Sequence, residues 1–110
     1  MIDRDGTQLE RMKEEVEFIL KSTDGVSKEL FLEDSLLQHG VCMALLTIGE
    51  CAHHLSEEFK ESHSEIPWIK VVAVRNIAAH GYWRLDMAQI WQAVVTNIPE
   101  LHEFLLRNYR

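Results

Sequence analysis

Pro67-Trp68-Ile69-Lys70-Val71-Val72-Ala73-Val74-Arg75-Asn76-Ile77-Ala78-Ala79-His80-Gly81 is the stretch on which the fold class turns. Its β-branched residues Ile69, Val71, Val72 and Val74 would suit a strand, but no other segment offers a strand to pair with it. Read as a helix, the stretch is consistent at both ends. Pro67 falls in a first turn, where its missing N–H is not needed, and Gly81 supplies a stop. A helix over residues 67–80 is therefore expected, the third in chain order.

The flanking segments carry the same period. Thr7-Gln8-Leu9-Glu10 has the form of a capping box, followed by Leu9, Met12, Val16, Ile19 and Leu20 at helical spacing until Asp24-Gly25. Ser27 can cap a second, longer helix, in which Leu30, Phe31, Leu37, Val41, Leu45, Ile48, Leu55 and Phe59 belong to one broad apolar stripe, with a possible break near Asp34. Gly40, Ala44, Gly49 and Ala52 lie in that stripe and would let another helix approach closely. Asp86-Met87-Ala88-Gln89 reads as a further capping box opening a fourth helix, and Pro99 as the start of a fifth, with Leu101, Phe104, Leu105 and Tyr109 on its buried side. Short connections make this an all-α, antiparallel bundle of about five helices, with residues 1–110 forming one domain.

Composition narrows the function. Hydrophobic residues make up 46% and charged residues 26%, an ordinary globular balance. No run of apolar residues approaches the roughly 20 that span a bilayer, and the polar start Met1-Ile2-Asp3-Arg4-Asp5 lacks a signal peptide's layout, so no membrane partner and a cytoplasmic location are expected. Cys42 and Cys51, nine apart on one helical pattern, are expected to be buried thiols rather than a disulfide. A net charge of −7 argues against a broad basic surface for nucleic acid. Between Pro67 and Asp86, however, Lys70, Arg75 and Arg84 stand against Asp86 alone, a local sum of +2 that leaves −9 on the remainder.

That basic island contains Arg75-Asn76 and, five residues after the arginine, His80. Arginine presents a planar fork of donors to phosphate oxygens, and histidine exchanges protons near neutrality. Together they suit cleavage of RNA, whose 2′-OH can attack its own phosphate with a proton carrier and a cation in attendance and with no metal or other cofactor required. Asn76 can assist as donor or acceptor. On an ideal helix, residues five apart lie about 140° around the axis and about 7.5 Å along it, so Arg75 and His80 do not share a face. Either the helix loosens at Ala79-His80-Gly81, or a second copy of the chain completes the site across a two-fold axis; the homodimer is the expectation, because one small bundle offers no cleft of its own.

The spacing R-x-x-x-x-H resembles the signature of HEPN-domain ribonucleases, and the continuation His80-Gly81-Tyr82 resembles the H-x-Y of their HepT-like toxin branch. The similarity extends to Ile48-Gly49-Glu50 and Ile66-Pro67-Trp68 and covers nearly the whole chain. The resemblance implies a dimeric, metal-independent endoribonuclease toxin of HEPN fold that uses Arg75 and His80 on RNA. It also implies a separate antitoxin, a minimal nucleotidyltransferase of the MNT type, which attaches AMP to Tyr82. Glu50 matches a family position and could face Arg75 across the bundle, orienting the guanidinium.

Three further sets of residues invite a reading. Cys51, His53 and His54 are close in sequence, but adjacent histidines diverge by about 100° on a helix and make a poor zinc site. His39, His63 and His102 have no matching partners and are expected at the surface or an interface. Trp68, Trp83 and Trp91 are expected mainly in the core, with Trp83 best placed to stack on a base. The competing functional reading is a non-catalytic helical module that binds a nucleotide or serves a nucleotidyltransferase as its partner, with His80 only structural.

Overall fold

The computed structural model describes residues 4–80 and 84–108, leaving out the side chains of His80, Arg84, Leu85 and Asp86. The expectations for Gly81, Tyr82, Trp83 and Tyr109 lie outside the described residues. The described residues form seven α-helices and one π-helical segment, and no strand. The helices are α1 (Arg4–Ser22), α2 (Lys28–Glu33), α3 (Ser35–His53), α4 (Glu57–Ser62), α5 (Trp68–His80), α6 (Arg84–Gln92) and α7 (Ile98–Asn108). The π-helical segment, Ala93–Asn97, joins α6 to α7.

The all-α bundle is as expected, and helix α5 replaces any strand at Ile69–Val74. The break at Asp34 is real. Its backbone is extended (φ −105°, ψ 91°), its N–H donates to the Phe31 carbonyl to end α2, and its carboxylate accepts from the Leu37 N–H at 2.9 Å to begin α3. One residue, through its backbone N–H and its side chain, thus satisfies orphan groups of two helix ends. Gln38 Nε2 donates to the same Phe31 carbonyl at 2.8 Å and holds the corner.

Three expected boundaries move. Thr7 does not cap α1, which starts at Arg4. The carboxylate of Asp5, in the first turn, instead accepts from the backbone N–H and hydroxyl of Ser56 at 2.8 and 2.7 Å, tying α1 to the start of α4. An acidic residue in the first turn is favoured by the helix dipole whether or not it caps, so the Thr-x-x-Glu pattern alone does not locate the start. For the same reason Asp86 lies inside the first turn of α6, which begins at Arg84. The stripe that ran on to Phe59 is interrupted after His53, where Ser56 caps α4 through the Phe59 N–H. Pro99 stands in the first turn of the last helix, as expected, but the chain enters that helix without a break. The Ile98 N–H reaches the Ala93 carbonyl five residues back, and this wider turn carries the chain into α7 with Pro99 in its first turn, where no N–H is needed.

Helix α3 is central, packed on one side by α1 and on the other by α5, while α7 lies against α1. Its 19 residues are long and apolar enough, by length and composition, to cross a membrane, contrary to the expectation that no run comes near this. Here that character serves the core, since Val41, Ala44, Leu45, Ile48, Cys51 and Ala52 are all buried among the other helices. Phe31, Met12, Ile19, Leu45, Ile90, Phe104 and Leu105 are the largest fully enclosed side chains. At one end of the bundle Phe59, His63, Trp68 and Phe104 form an aromatic cluster. The His63 ring stacks on Phe59 at 4.2 Å and meets Phe104 edge-on at 5.5 Å, so this histidine is more enclosed than a surface residue. Trp68 Nε1 donates to the His63 carbonyl at 3.0 Å.

Phe104 is fully buried and touches three members of that cluster. Its replacement by alanine is expected to lower unfolding stability by about 3–5 kcal/mol, read as a lower urea midpoint at unchanged slope. A loss under 1 kcal/mol would mean that the cluster does not close the core.

Candidate functional site

Helix α5 is apolar on nearly every side, which is the pattern of a helix with neighbours on more than one face. One flank is covered: Ala78 is buried, and Val71, Val74 and Arg75 are half-buried towards α3. The opposite flank is open. Ile69 is 87% exposed, and Ala73, Asn76 and Ala79 are also exposed, with Val72 half-buried among them.

Arg75 is located by a missing atom. A Cβ built on Gly49 of α3 would lie 2.5 Å from the Arg75 Cβ and 3.2 Å from its Cα and backbone N. No ordinary side chain fits there, so α3 and α5 cross at this glycine with their backbones nearly in contact. The next residue in α3 is Glu50, and its Oε1 accepts from Arg75 Nη1 at 2.6 Å. The pair is partly open to water, with side chains 27% and 45% exposed for Arg75 and Glu50. An ion pair at that exposure contributes only about 0–1 kcal/mol to stability, so its physical effect is mainly to orient the guanidinium. The other oxygen of Glu50 lies 3.8 Å from His54 Nε2.

Asn76 is exposed, one step around the helix from Arg75. Helix α5 is regular through His80, so within the described residues it does not loosen before the histidine. Position 80 therefore keeps the helical register, about 140° around the axis from position 75. The structure brings together Arg75 and Glu50. It sets Asn76 and backbone position 80 on the open flank, and Tyr82 is outside the described residues.

Neither thiol is placed for chemistry. Burial pushes the Cys42 and Cys51 thiols up, with Arg11 opposing and Glu15 and Glu50 reinforcing the effect at Cys51. Both cysteines are buried and unbridged. His53 and His54 are exposed, their rings edge-to-face at 5.2 Å, and among the described residues no group of three or more His, Cys, Asp or Glu side chains could hold a metal ion. His39 is exposed with Nδ1 2.6 Å from the Ser35 carbonyl, and His102 Nε2 lies 3.3 Å from Glu17. Gly49 is one of the small residues expected to admit a close helix, and it does so. Nothing in that stripe marked it out from Gly40, Ala44 and Ala52 as the residue that meets Arg75.

Residues 12–107 match the family model described as ribonuclease HepT-like. The chain is 34% identical over 95 residues, 86% of its length and 85% of the relative's, to a Caldanaerobacter subterraneus subsp. tengcongensis protein assigned by name as an RNase. It is 36% identical over 93 residues, 84% of each chain, to a Thermococcus cleftensis protein assigned by name to ribonuclease HepT. No solved structure gives a significant match.

The two helical glycines of α3 make opposite predictions. Gly49→Ala is expected to destabilise the protein by about 1–3 kcal/mol and to displace the Arg75 side-chain resonances, because the contact is with the Arg75 Cβ and the backbone that carries it and cannot yield. Gly40→Ala would place its Cβ 3.4 Å from the ring end of Phe18, ordinary contact, and is expected to be neutral or to stabilise by up to about 1 kcal/mol through helix propensity. Urea unfolding of the two variants side by side checks both, and equal tolerance would remove Gly49 as the determinant of the crossing.

Proposed function

The chain belongs to the HepT-like ribonuclease family, and from that premise we propose that it is a metal-independent endoribonuclease toxin, acting on cellular RNA in the cytoplasm. In this reading it forms one domain and works as a homodimer. The observation that carries the proposal is the orientation of Arg75. Glu50 engages Nη1, which leaves further N–H donors of the fork for the oxygens of a phosphate brought to the α3–α5 crossing.

The remaining roles follow from chemistry. The 2′-OH attacks the adjacent phosphorus, the 5′-oxygen leaves, and a 2′,3′-cyclic phosphate forms. His80 moves the proton at the hydroxyl or at the leaving oxygen, while Arg75 stabilises charge on the phosphate and Asn76 holds a phosphate or ribose oxygen. Two copies meeting through the open flank of α5 would cover Ile69, Val72 and Ala73 and bring two sets of Asn76 and position 80 to one cleft. The doubled basic island would lie in that cleft while the rest of the surface stays acidic. Tyr82 is the proposed regulatory point: an MNT-type nucleotidyltransferase antitoxin transfers AMP from ATP to the phenolic oxygen, with pyrophosphate leaving. The added charge and bulk then exclude RNA from the cleft.

Purified protein in excess EDTA is expected to cut total cellular RNA and leave 2′,3′-cyclic phosphate ends. Arg75→Ala and His80→Ala, folded by circular dichroism, are each expected to lose about 10²–10⁴-fold in rate. A folded wild type that cuts nothing, under conditions where an active relative cuts, would favour the non-catalytic nucleotide-binding or partner-binding reading. Incubation with the cognate nucleotidyltransferase and ATP is expected to add one AMP, mapped to Tyr82 by mass spectrometry. No adduct there would remove the antitoxin from the proposal.

A further inference from the structure

One helical turn from the Glu50–Arg75 pair, α3, α5 and α6 enclose an open groove of about 280 Å³. Leu46 stands one turn before Glu50, and Ala78 and Ala79 follow one turn after Arg75, so the groove begins about 5.4 Å from the ion pair along both helices. Its walls are Met43, Leu46, Ala79 and Met87. Met43 is 64% exposed although apolar, and methionine is the side chain best able to reshape itself around a flat ring.

Gln38 and His39 supply the polar rim. The Gln38 amide nitrogen is committed to the Phe31 carbonyl, and among the described residues its carbonyl oxygen has no partner. In the tautomer in which His39 Nδ1 donates to the Ser35 carbonyl, 2.6 Å away, Nε2 is left as an acceptor. The groove therefore combines apolar walls, two hydrogen-bond acceptors and a cation one turn away. A nucleobase has the complementary features: a flat apolar face, N–H donors on its edge, and a backbone phosphate within one turn's reach. A peptide would bring its own carbonyl oxygens to a rim that already carries acceptors.

We propose that this groove is a nucleobase subsite that accepts the base flanking the phosphate held at Arg75, with Gln38 and His39 selecting bases that present an amino group. Adenine, cytosine and guanine carry such a group, and uracil does not. The proposal rests on the ribonuclease reading for its place beside a scissile phosphate, but the groove itself can be tested apart from cleavage.

The experiment has two arms. In the first, labelled wild-type protein is titrated with 5′-AMP, 5′-CMP and 5′-UMP and followed by heteronuclear NMR. AMP and CMP are expected to shift Gln38, Met43 and Ala79 resonances in a saturable manner, and UMP to bind at least fivefold more weakly. In the second, the ends produced from total RNA are sequenced for wild type, Gln38→Leu and Met43→Trp. Wild type is expected to disfavour uracil at one flanking position, Gln38→Leu to erase that bias, and Met43→Trp to lower cleavage at least tenfold by filling the groove.

Cleavage with the same base distribution and rate in all three proteins would overturn the subsite while leaving the nuclease intact. Nucleotide shifts at the groove in a wild type that cuts no RNA would support the subsite and count against the nuclease reading alone. Absence of groove shifts with all three nucleotides would overturn the subsite, as would finding Met43 covered by a second copy of the chain in solution.

Discussion

The close approach of α3 and α5 at Gly49 is the constraint on which the rest depends. Only a residue without a Cβ allows the Arg75 backbone to come this near, and the following residue, Glu50, is thereby carried to the guanidinium. Positioning and orientation thus come from two consecutive residues of one helix. Because the pair is partly exposed, its worth lies in fixing direction rather than in stability. Stability comes from the apolar cluster around α3, to which α1, α5 and α7 contribute.

The central helix has a composition close to that of a membrane span, and the bundle turns this to another use. Burial of one face against α1 and of another against α5 leaves the rim of α3 near Met43 and Glu50 at the surface, where it adjoins the motif helix. Apolar surface thus persists beside the charged pair instead of being removed from it. An acidic chain with one basic stretch suits the proposed reading, in which long-range repulsion of RNA elsewhere would confine contact to the site.

Much of the fold was legible because it is periodic. The stripes in α1, α3 and α7 show in the spacing of apolar residues, and Asp34 announced its break by being a good cap inside an otherwise continuous run. Exact starts were not legible at Thr7 and Asp86, because acidic and hydroxyl residues favour a first turn as well as a cap. Nor was the π-helical passage into Pro99, since a one-residue widening leaves no mark on a pattern of period 3.6. His63 was misjudged for a different reason: its ring joins an aromatic cluster drawn from α4, α5 and α7, and such a cluster exists only after assembly.

The amino-acid sequence by itself determined the all-helical class, the core-facing stripes, the local basic charge and the order Arg75, Asn76, His80, Tyr82. These depend on covalent neighbours and on the period of one helix. Only the tertiary structure decided that Gly49 meets Arg75, that Glu50 takes its guanidinium across 25 residues, and that a groove opens beside them. Those depend on how near two helices come where they cross, a distance set by the side chains of both at once, and no periodicity within either encodes it.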